Sequence, residues 1–412
     1  MAMDPITNPF APGAGIQPPE LAGRNKILDD ARTSLGRVLK DRPARSQLLL
    51  GLRGVGKTVL LNRIAEIAEE TGHHTVIIEA PEDRGLAEML IPPLRKTLFE
   101  LSVQERSRDR ARRALAVLRS FAGLFKAQVG EVEFSVKPEM GAADSGNLES
   151  DLAEVLQAAS TAAKSSGSAL TLFVDEVQYL SSADLGALIV SVHKMGQKGL
   201  PFLLIGAGLP QLAQLAGEAK SYAERLFDYP EVGALTDEAA REAIKAPMNR
   251  ENVDITEDAL ATIQEWTKGY PFFLQEWGSR TWLAAESSPI TADVVQRASQ
   301  DALNHLDAGF FRVRLDRLTP REKDYVRAMA ELGPGPHRSG EIAQLLGMNV
   351  TAAGPLRNGL IKKGMIYSPQ HGDTVFTVPM FDQFMVRSMP GWKPGLSNPP
   401  RARGGPRKKR RS

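Results

Sequence analysis

Residues Gly51-Leu52-Arg53-Gly54-Val55-Gly56-Lys57-Thr58 fit the pattern G-x-x-x-x-G-K-[ST] and constrain this chain more than any other stretch. They follow an apolar run, Leu48 to Leu50, and precede an amphipathic segment with Leu60, Ile64 and Ile67 on one face. The sequence therefore predicts a buried strand, a glycine-rich loop and a helix. In that order the loop turns its backbone N–H groups toward an anion, and the helix N-terminus adds partial positive charge. Lys57 is placed to reach the β and γ phosphates of a nucleotide, and Thr58 to ligate Mg²⁺. Arg53, Gly54, Val55, Gly56 and Val59 complete the expected phosphate site, with ATP and Mg²⁺ as expected cofactors.

A second apolar run, Leu170 to Val174, ends in Asp175 and Glu176. Phosphoryl transfer needs a carboxylate to hold the metal and another to orient the attacking water, and Asp175 and Glu176 fit those two tasks. Two more runs, Thr75 to Ile78 and Phe202 to Ile205, have strand length. Continuous apolar strands are buried on both faces, and their alternation with helical patterns predicts an α/β domain with a parallel sheet. A long insertion separates the second and third strands. Its first half, Ser102 to Lys126, reads as a helix carrying Arg106, Arg108, Arg110, Arg112, Arg113 and Arg119; its second, Val129 to Val136, alternates as a hairpin strand would.

Beyond Leu235 the pattern is helical. Thr236 is expected to cap a helix stopping before Pro247, Thr256 one ending at Gly269, and Thr291 a third. From Leu318 the pattern changes. Thr319-Pro320 with Glu322 forms a capping box for a helix to about Leu332, Ser339 opens a second helix ending at Gly347, and a third ends at Gly364. Met365 to Tyr367 and Thr374 to Val378 read as strands around a turn with Pro369 and Gly372. Three helices and a hairpin describe a winged helix-turn-helix. With residues 355–363 as recognition helix and Pro355 in its first turn, Arg357, Asn358, Lys362 and Lys363 are its candidate DNA contacts, while Leu356, Leu360 and Ile361 turn inward.

With 412 residues the chain has room for two or three domains. The expected division is an extended proline-rich arm (1–20), an ATPase base (21–232), a helical lid (233–306), the winged helix-turn-helix (307–389) and a basic tail (390–412). The absence of cysteine excludes disulfides, thiolate zinc sites and cysteine nucleophiles, and the six histidines show no metal-binding spacing. No apolar run approaches a membrane span and the first ten residues lack a signal-peptide pattern, so a soluble cytoplasmic protein with no membrane partner is expected. The net charge of +2 is deceptive: Arg401, Arg403, Arg407, Lys408, Lys409, Arg410 and Arg411 crowd the last twelve positions, and the rest is mildly acidic.

The order of glycine-rich loop, Asp-Glu strand, helical lid and winged helix resembles the AAA+ ATPases of the origin-recognition and replication-initiator type and their STAND and archaeal-ATPase relatives, over about residues 18–388. The resemblance implies a sheet of order 5-1-4-3-2, adenine between the N-terminal segment and the lid, and an arginine finger from a neighbouring subunit. Leu21-Ala22-Gly23-Arg24 is similar to the N-terminal motif that lies against the base, which makes Gly23 and Arg24 nucleotide-binding candidates. Arg225, within Tyr222 to Phe227, stands where the finger is expected, although it can equally pair with Glu224 or Asp228. Gly269-Tyr270-Pro271 resembles the lid motif whose proline, here Pro271, approaches the nucleotide.

Two departures stand beside these matches. Ile205-Gly206-Ala207-Gly208 lacks the polar residue that often senses the γ-phosphate, and no arginine closely follows Gly269. Both point to slow hydrolysis, with ATP as a conformational switch. Gln178 and His193 are the polar residues close enough to relay the nucleotide state, and His193 reads equally as an ordinary surface-helix residue. The leading functional reading is an ATP-dependent DNA-binding switch that self-associates through the ATPase interface. The alternatives are a STAND-like signalling scaffold, or an effector-recruiting ATPase of transposition or phage defence, whose winged helix contacts protein.

Overall fold

The computed structural model describes residues 3–13, 15–81, 84–125, 135–370 and 372–395. An extended arm leads into α1 (Asn25–Leu39), β1 (Ser46–Leu50), α2 (Lys57–Glu70), β2 (His73–Glu79), α3 (Leu86–Val103) and α4 (Arg108–Leu124). Next come α5 (Leu148–Ser165), β3 (Ala169–Asp175), α6 (Ser182–Gln197), β4 (Phe202–Gly208), α7 (Leu212–Ala219), α8 (Ala223–Leu226) and β5 (Phe227–Asp228). All five strands are parallel, in the order β2-β3-β4-β1-β5, which is the predicted 5-1-4-3-2 read from the other edge. Every residue of β1, β3 and β4 is buried, as their unbroken apolar runs require.

β2 departs from that expectation. It lies at the sheet edge, and burial alternates along it, leaving Ile77 46% exposed. The predicted helix from Ser102 is also corrected. Ser102 and Val103 end α3, Gln104 takes an extended conformation, and Ser107 Oγ donates to the Leu101 carbonyl before α4 begins at Arg108. The strand expected at 129–136 falls largely outside the described residues, as does Lys126; Ser135 and Val136 form a bend. On α4, Arg113 forms an ion pair with Glu139 and Arg119 donates to the Val136 carbonyl.

Four helices follow: α9 (Asp237–Arg250), α10 (Glu257–Thr267), α11 (Pro271–Ala284) and α12 (Ala292–His305). Thr236 and Thr256 cap the first two, each accepting from an amide three residues on. α9 does not stop before Pro247 but runs through it to Arg250. An interior proline costs about 3 kcal/mol, and burying Met248 just beyond it recovers much of that, about 1.5–3 kcal/mol. The proline-rich arm packs along α11. Phe10 lies under Gly278, where a Cβ would come within 2.7 Å of its ring, Asn8 Nδ2 donates to Ser279 Oγ, and Trp282 Nε1 donates to the Asp4 carbonyl.

The chain divides into two compact units, Met1–Leu303 and Asn304–Ser412. The second contains α13 (Arg312–Asp316), α14 (Pro320–Glu331), β6 (His337–Arg338), α15 (Ser339–Leu345), α16 (Val350–Lys362), β7 (Ile366–Tyr367), β8 (Asp373–Phe376) and α17 (Phe381–Ser388). The strands form an antiparallel sheet of order β6-β8-β7. The Thr319–Glu322 capping box forms as predicted. The third helix starts earlier than the sequence reading: Asn349 caps it, so Pro355 lies inside α16 and not in its first turn. Phe311, Tyr325, Phe381 and Phe384 are its largest buried side chains. The basic cluster 401–411 lies outside the described residues.

His73 joins β2 to two neighbours. Its Nε2 faces the Leu35 carbonyl at 3.2 Å, and its Nδ1 faces Thr171 Oγ1 at 2.8 Å. A carbonyl only accepts, so Nε2 carries the proton and Nδ1 accepts from the threonine hydroxyl. Burial lowers the His73 pKa from 6.5 to about 4. Because the folded value lies below the unfolded one, the contribution is complete above pH 6.5 and is lost as pH falls toward 4. Denaturant titrations across that window are expected to show stability falling by at most about 1.4 kcal/mol per pH unit from this group. A His73→Gln variant should remove that component of the slope; an unaltered slope would assign it elsewhere.

Candidate functional site

The sheet gathers the chemical groups at the carboxyl ends of β1 and β3, which are separated in the sheet by β4. After β1, Gly54 and Gly56 both adopt positive φ, +84° and +90°, conformations that side-chain-bearing residues rarely take. Gly56 caps α2, so Lys57 and Thr58 open that helix. Lys57 is 6% exposed, with Nζ 2.9 Å from the Leu52 carbonyl. Burial lowers its pKa, opposed by the negative charges of Glu176 and Asp175. A desolvated ammonium folded back on its own loop gains most from a polyanion. Arg53 also fits one: it bonds to the Tyr179 hydroxyl, but its Nε is buried with no acceptor among the described residues. Val55 is buried and Val59 half-buried beside these groups.

Thr58 Oγ1 donates to Asp175 Oδ2 at 2.6 Å, joining the first turn of α2 to the end of β3. Burial raises the Asp175 pKa, and the Thr58 bond and the Glu176 amide, which donates to Oδ1 at 2.8 Å, pull it down. A divalent cation held by Thr58 and Asp175 would reinforce the ionised carboxylate. Buried arginine and lysine donors, left-handed glycines and a hydroxyl–carboxylate pair fit a nucleotide triphosphate with Mg²⁺. Glu176 takes a left-handed conformation, φ 52° and ψ 39°. Left-handed backbone is uncommon in a non-glycine residue and costs about 1–3 kcal/mol. Its Oε2 accepts from Gln178 Nε2.

The segments expected to hold the base adjoin this loop. Arg24, 9% exposed, donates to the Val55 carbonyl at 3.2 Å and the Gly233 carbonyl at 2.6 Å, linking the N-terminal segment to the loop and to the segment that precedes α9. Burial lowers its pKa. Gly23, φ +69°, lies against α9, where a Cβ would come 2.8 Å from that of Ala239. Pro271 opens α11, the Phe272 amide donates to the Gly54 carbonyl at 3.2 Å, and Tyr270 lies against Gly54. Arg225 sits exposed on α8, and Asp228, one of its alternative partners, pairs instead with Arg45. The His193 and Tyr222 rings are 4.8 Å apart, which accounts for His193 as a packing residue beside α8.

The sequence reading did not find the arm on the lid, nor the closeness of Gly15 to Thr58, where a Cβ would lie 3.9 Å from the threonine methyl. The prolines of the arm signalled an extended chain but carried no address for it.

In the second unit the four DNA-contact candidates separate into two pairs. Arg357 turns inward, donating to Thr374 Oγ1, Ser368 Oγ and the Asp373 carbonyl at 3.2, 2.7 and 3.1 Å. Lys363 Nζ bonds to Glu322 at 2.6 Å and to the Arg317 carbonyl at 3.0 Å. Both are therefore held by local acceptors within the second unit. Asn358 and Lys362 are exposed on α16.

The AAA ATPase domain family matches residues 20–205, and a domain of unknown function matches residues 308–385. An uncharacterized HTH-type transcriptional regulator, MJ0774 of Methanocaldococcus jannaschii, is 21% identical over 369 residues, 86% of this chain and 85% of that protein. Among solved structures, the Walker-type ATPase PABY2304 of Pyrococcus abyssi is similar at a TM-score of 0.56 and 19% identity, covering 90% of this chain and 97% of that one. Cdc6p from Pyrobaculum aerophilum aligns at a TM-score of 0.48 and 15% identity over 94% of this chain and 98% of that one. No helix among the described residues is long and apolar enough to cross a membrane.

Removing Arg24 leaves the buried Val55 carbonyl and the part-buried Gly233 carbonyl without their charged donor. Arg24→Ala is expected to cost about 1.5–3 kcal/mol in denaturant titration and to weaken nucleotide binding. Unchanged values for both would separate this residue from the loop it touches. Residues 20–205 match the AAA ATPase domain family, and the first unit has the P-loop AAA+ fold.

Proposed function

We propose that the first unit binds Mg·ATP and hydrolyses it slowly, and that nucleotide state controls engagement of duplex DNA by the second unit. The observation that carries the reading is the Thr58–Asp175 bond beside Lys57 and Glu176, which unites both halves of a phosphoryl-transfer site. Lys57 exchanges the Leu52 carbonyl for the β and γ phosphates, and the loop amides from Arg53 to Val59 cradle them. Thr58 and Asp175 would hold Mg²⁺, which neutralises phosphate charge when bound. Glu176 orients the attacking water and takes its proton. The water oxygen bonds to the γ-phosphorus, the bond from that phosphorus to the bridging oxygen breaks, and ADP and phosphate leave. Gly23, Arg24 and Pro271 border the base, and Arg225 serves a neighbouring copy, which makes self-association part of the proposal. The working division remains arm 1–20, base 21–232, lid 233–306, winged helix-turn-helix 307–389 and tail 390–412, in the cytoplasm.

Lys57→Ala should abolish binding of a fluorescent ATP analogue, and wild-type affinity would overturn the nucleotide assignment. Glu176→Gln should retain binding and reduce phosphate release at least about 100-fold, a loss of about 2.7 kcal/mol of transition-state stabilisation.

The DNA part is supported by three helices with an antiparallel hairpin, by exposed Asn358 and Lys362, and by the regulator named above as a relative. The inward commitment of Arg357 and Lys363 favours the second reading, a signalling or effector-recruiting ATPase whose winged helix docks protein. Anisotropy of labelled duplex at two salt concentrations, with ATP, ADP or neither, distinguishes them. On the DNA reading Lys362→Ala lowers affinity and the salt slope by about one counterion without altering stability, whereas Arg357→Ala destabilises the second unit by about 1.5–3 kcal/mol. Binding indifferent to nucleotide and to Lys362 would favour the protein-docking reading.

A further inference from the structure

The end of β4 passes beside the site without offering it a polar side chain, and the geometry explains how that gap is filled. A Cβ on Gly206 would lie 2.7 Å from Leu48 Cδ2 and 2.9 Å from Val177 Cγ2, and one on Gly208 would lie 2.7 Å from Gln178 Oε1. Such separations are too short for real Cβ atoms, so the two glycines are what allow the turn after β3 to close onto β4. Gln178 uses that space. Its Oε1 accepts from the Leu209 amide at 3.0 Å, and its Nε2 donates to Glu176 Oε2. One amide thus joins the carboxylate to the backbone at the end of β4.

We infer that Gln178 is a positioning residue: it fixes the Glu176 carboxylate against the end of β4. Free carboxylates rotate about their side-chain torsions, and holding one in a productive orientation reduces the entropy to be lost on reaching the transition state. The anchor is main chain rather than another side chain, so movement of the β4 end or of the loop into α7 is transmitted directly to Glu176. Gln178 itself need not touch the nucleotide. The effect should therefore fall on turnover and spare affinity.

This inference rests on the ATPase reading, and one set of variants of the full chain separates the two. Gln178→Met keeps length while removing both hydrogen bonds; Gly208→Ala displaces the same amide from the other side. Thermal melts first establish that each variant folds. The expected result is a fall in kcat of about tenfold for both, with affinity for a fluorescent ATP analogue within about twofold of wild type. Adding Gln178→Met to Glu176→Gln should change the residual rate less than about twofold, because the group being positioned is already disabled. If Gln178→Met leaves kcat unchanged, raises it, lowers affinity in proportion, or adds fully to Glu176→Gln, the positioning role is wrong. If Glu176→Gln alone leaves turnover intact, the fault lies with the assignment of Glu176.

Discussion

Everything functional in the first unit depends on a parallel sheet delivering its strand ends to one edge. β1 and β3 are not neighbours, yet Thr58 and Asp175 meet at 2.6 Å because both lie just past the same end of the sheet. Parallel strands require crossover connections, and those crossovers are the helices that bury both faces. The burial that makes β1, β3 and β4 uniformly apolar is therefore also what aligns the glycine-rich loop with the two carboxylates. An edge strand has no such obligation, and β2 accordingly alternates.

Close approach is the second constraint. Around the site, Gly54, Gly206 and Gly208 are among the glycines that sit where another backbone or side chain needs the volume of a Cβ. At Gly54 the start of α11 comes in through Tyr270 and Phe272; at Gly206 and Gly208 the turn after β3 comes in through Val177 and Gln178. The absence of a polar residue on β4 looks in sequence like a missing part. In space it leaves room for the Gln178 side chain to lie against the end of β4.

The sequence stated the strands, the loop and the carboxylate pair because each is written in local pattern: an apolar run, a glycine spacing, a strand ending in two acids; the sheet order came only from the family resemblance. It stated much less well whatever depends on distant partners. Arg357 reads in sequence as a helix-face arginine, and nothing local announces that Ser368, Thr374 and the Asp373 carbonyl across the hairpin accept from it. Pro247 looked like a stop because local propensity opposes it, while burial of Met248 favours continuation. The arm offered prolines and no periodicity, so its attachment through Phe10, Asn8 and Asp4 had no local signal.

Charge arrangement connects the two buried ends of the site. Lys57 is desolvated, and its ammonium is supported by a main-chain carbonyl and the nearby negative charges of Glu176 and Asp175, while Asp175 is raised by the same burial. Each group bears a cost that a bound partner of opposite charge would relieve, one by phosphate and the other by a divalent cation. The two reliefs are coupled, since phosphate without the cation would bring negative charge against Asp175 and Glu176, and the cation without phosphate would stand near Lys57. A site so arranged would favour a metal–nucleotide pair over either component alone.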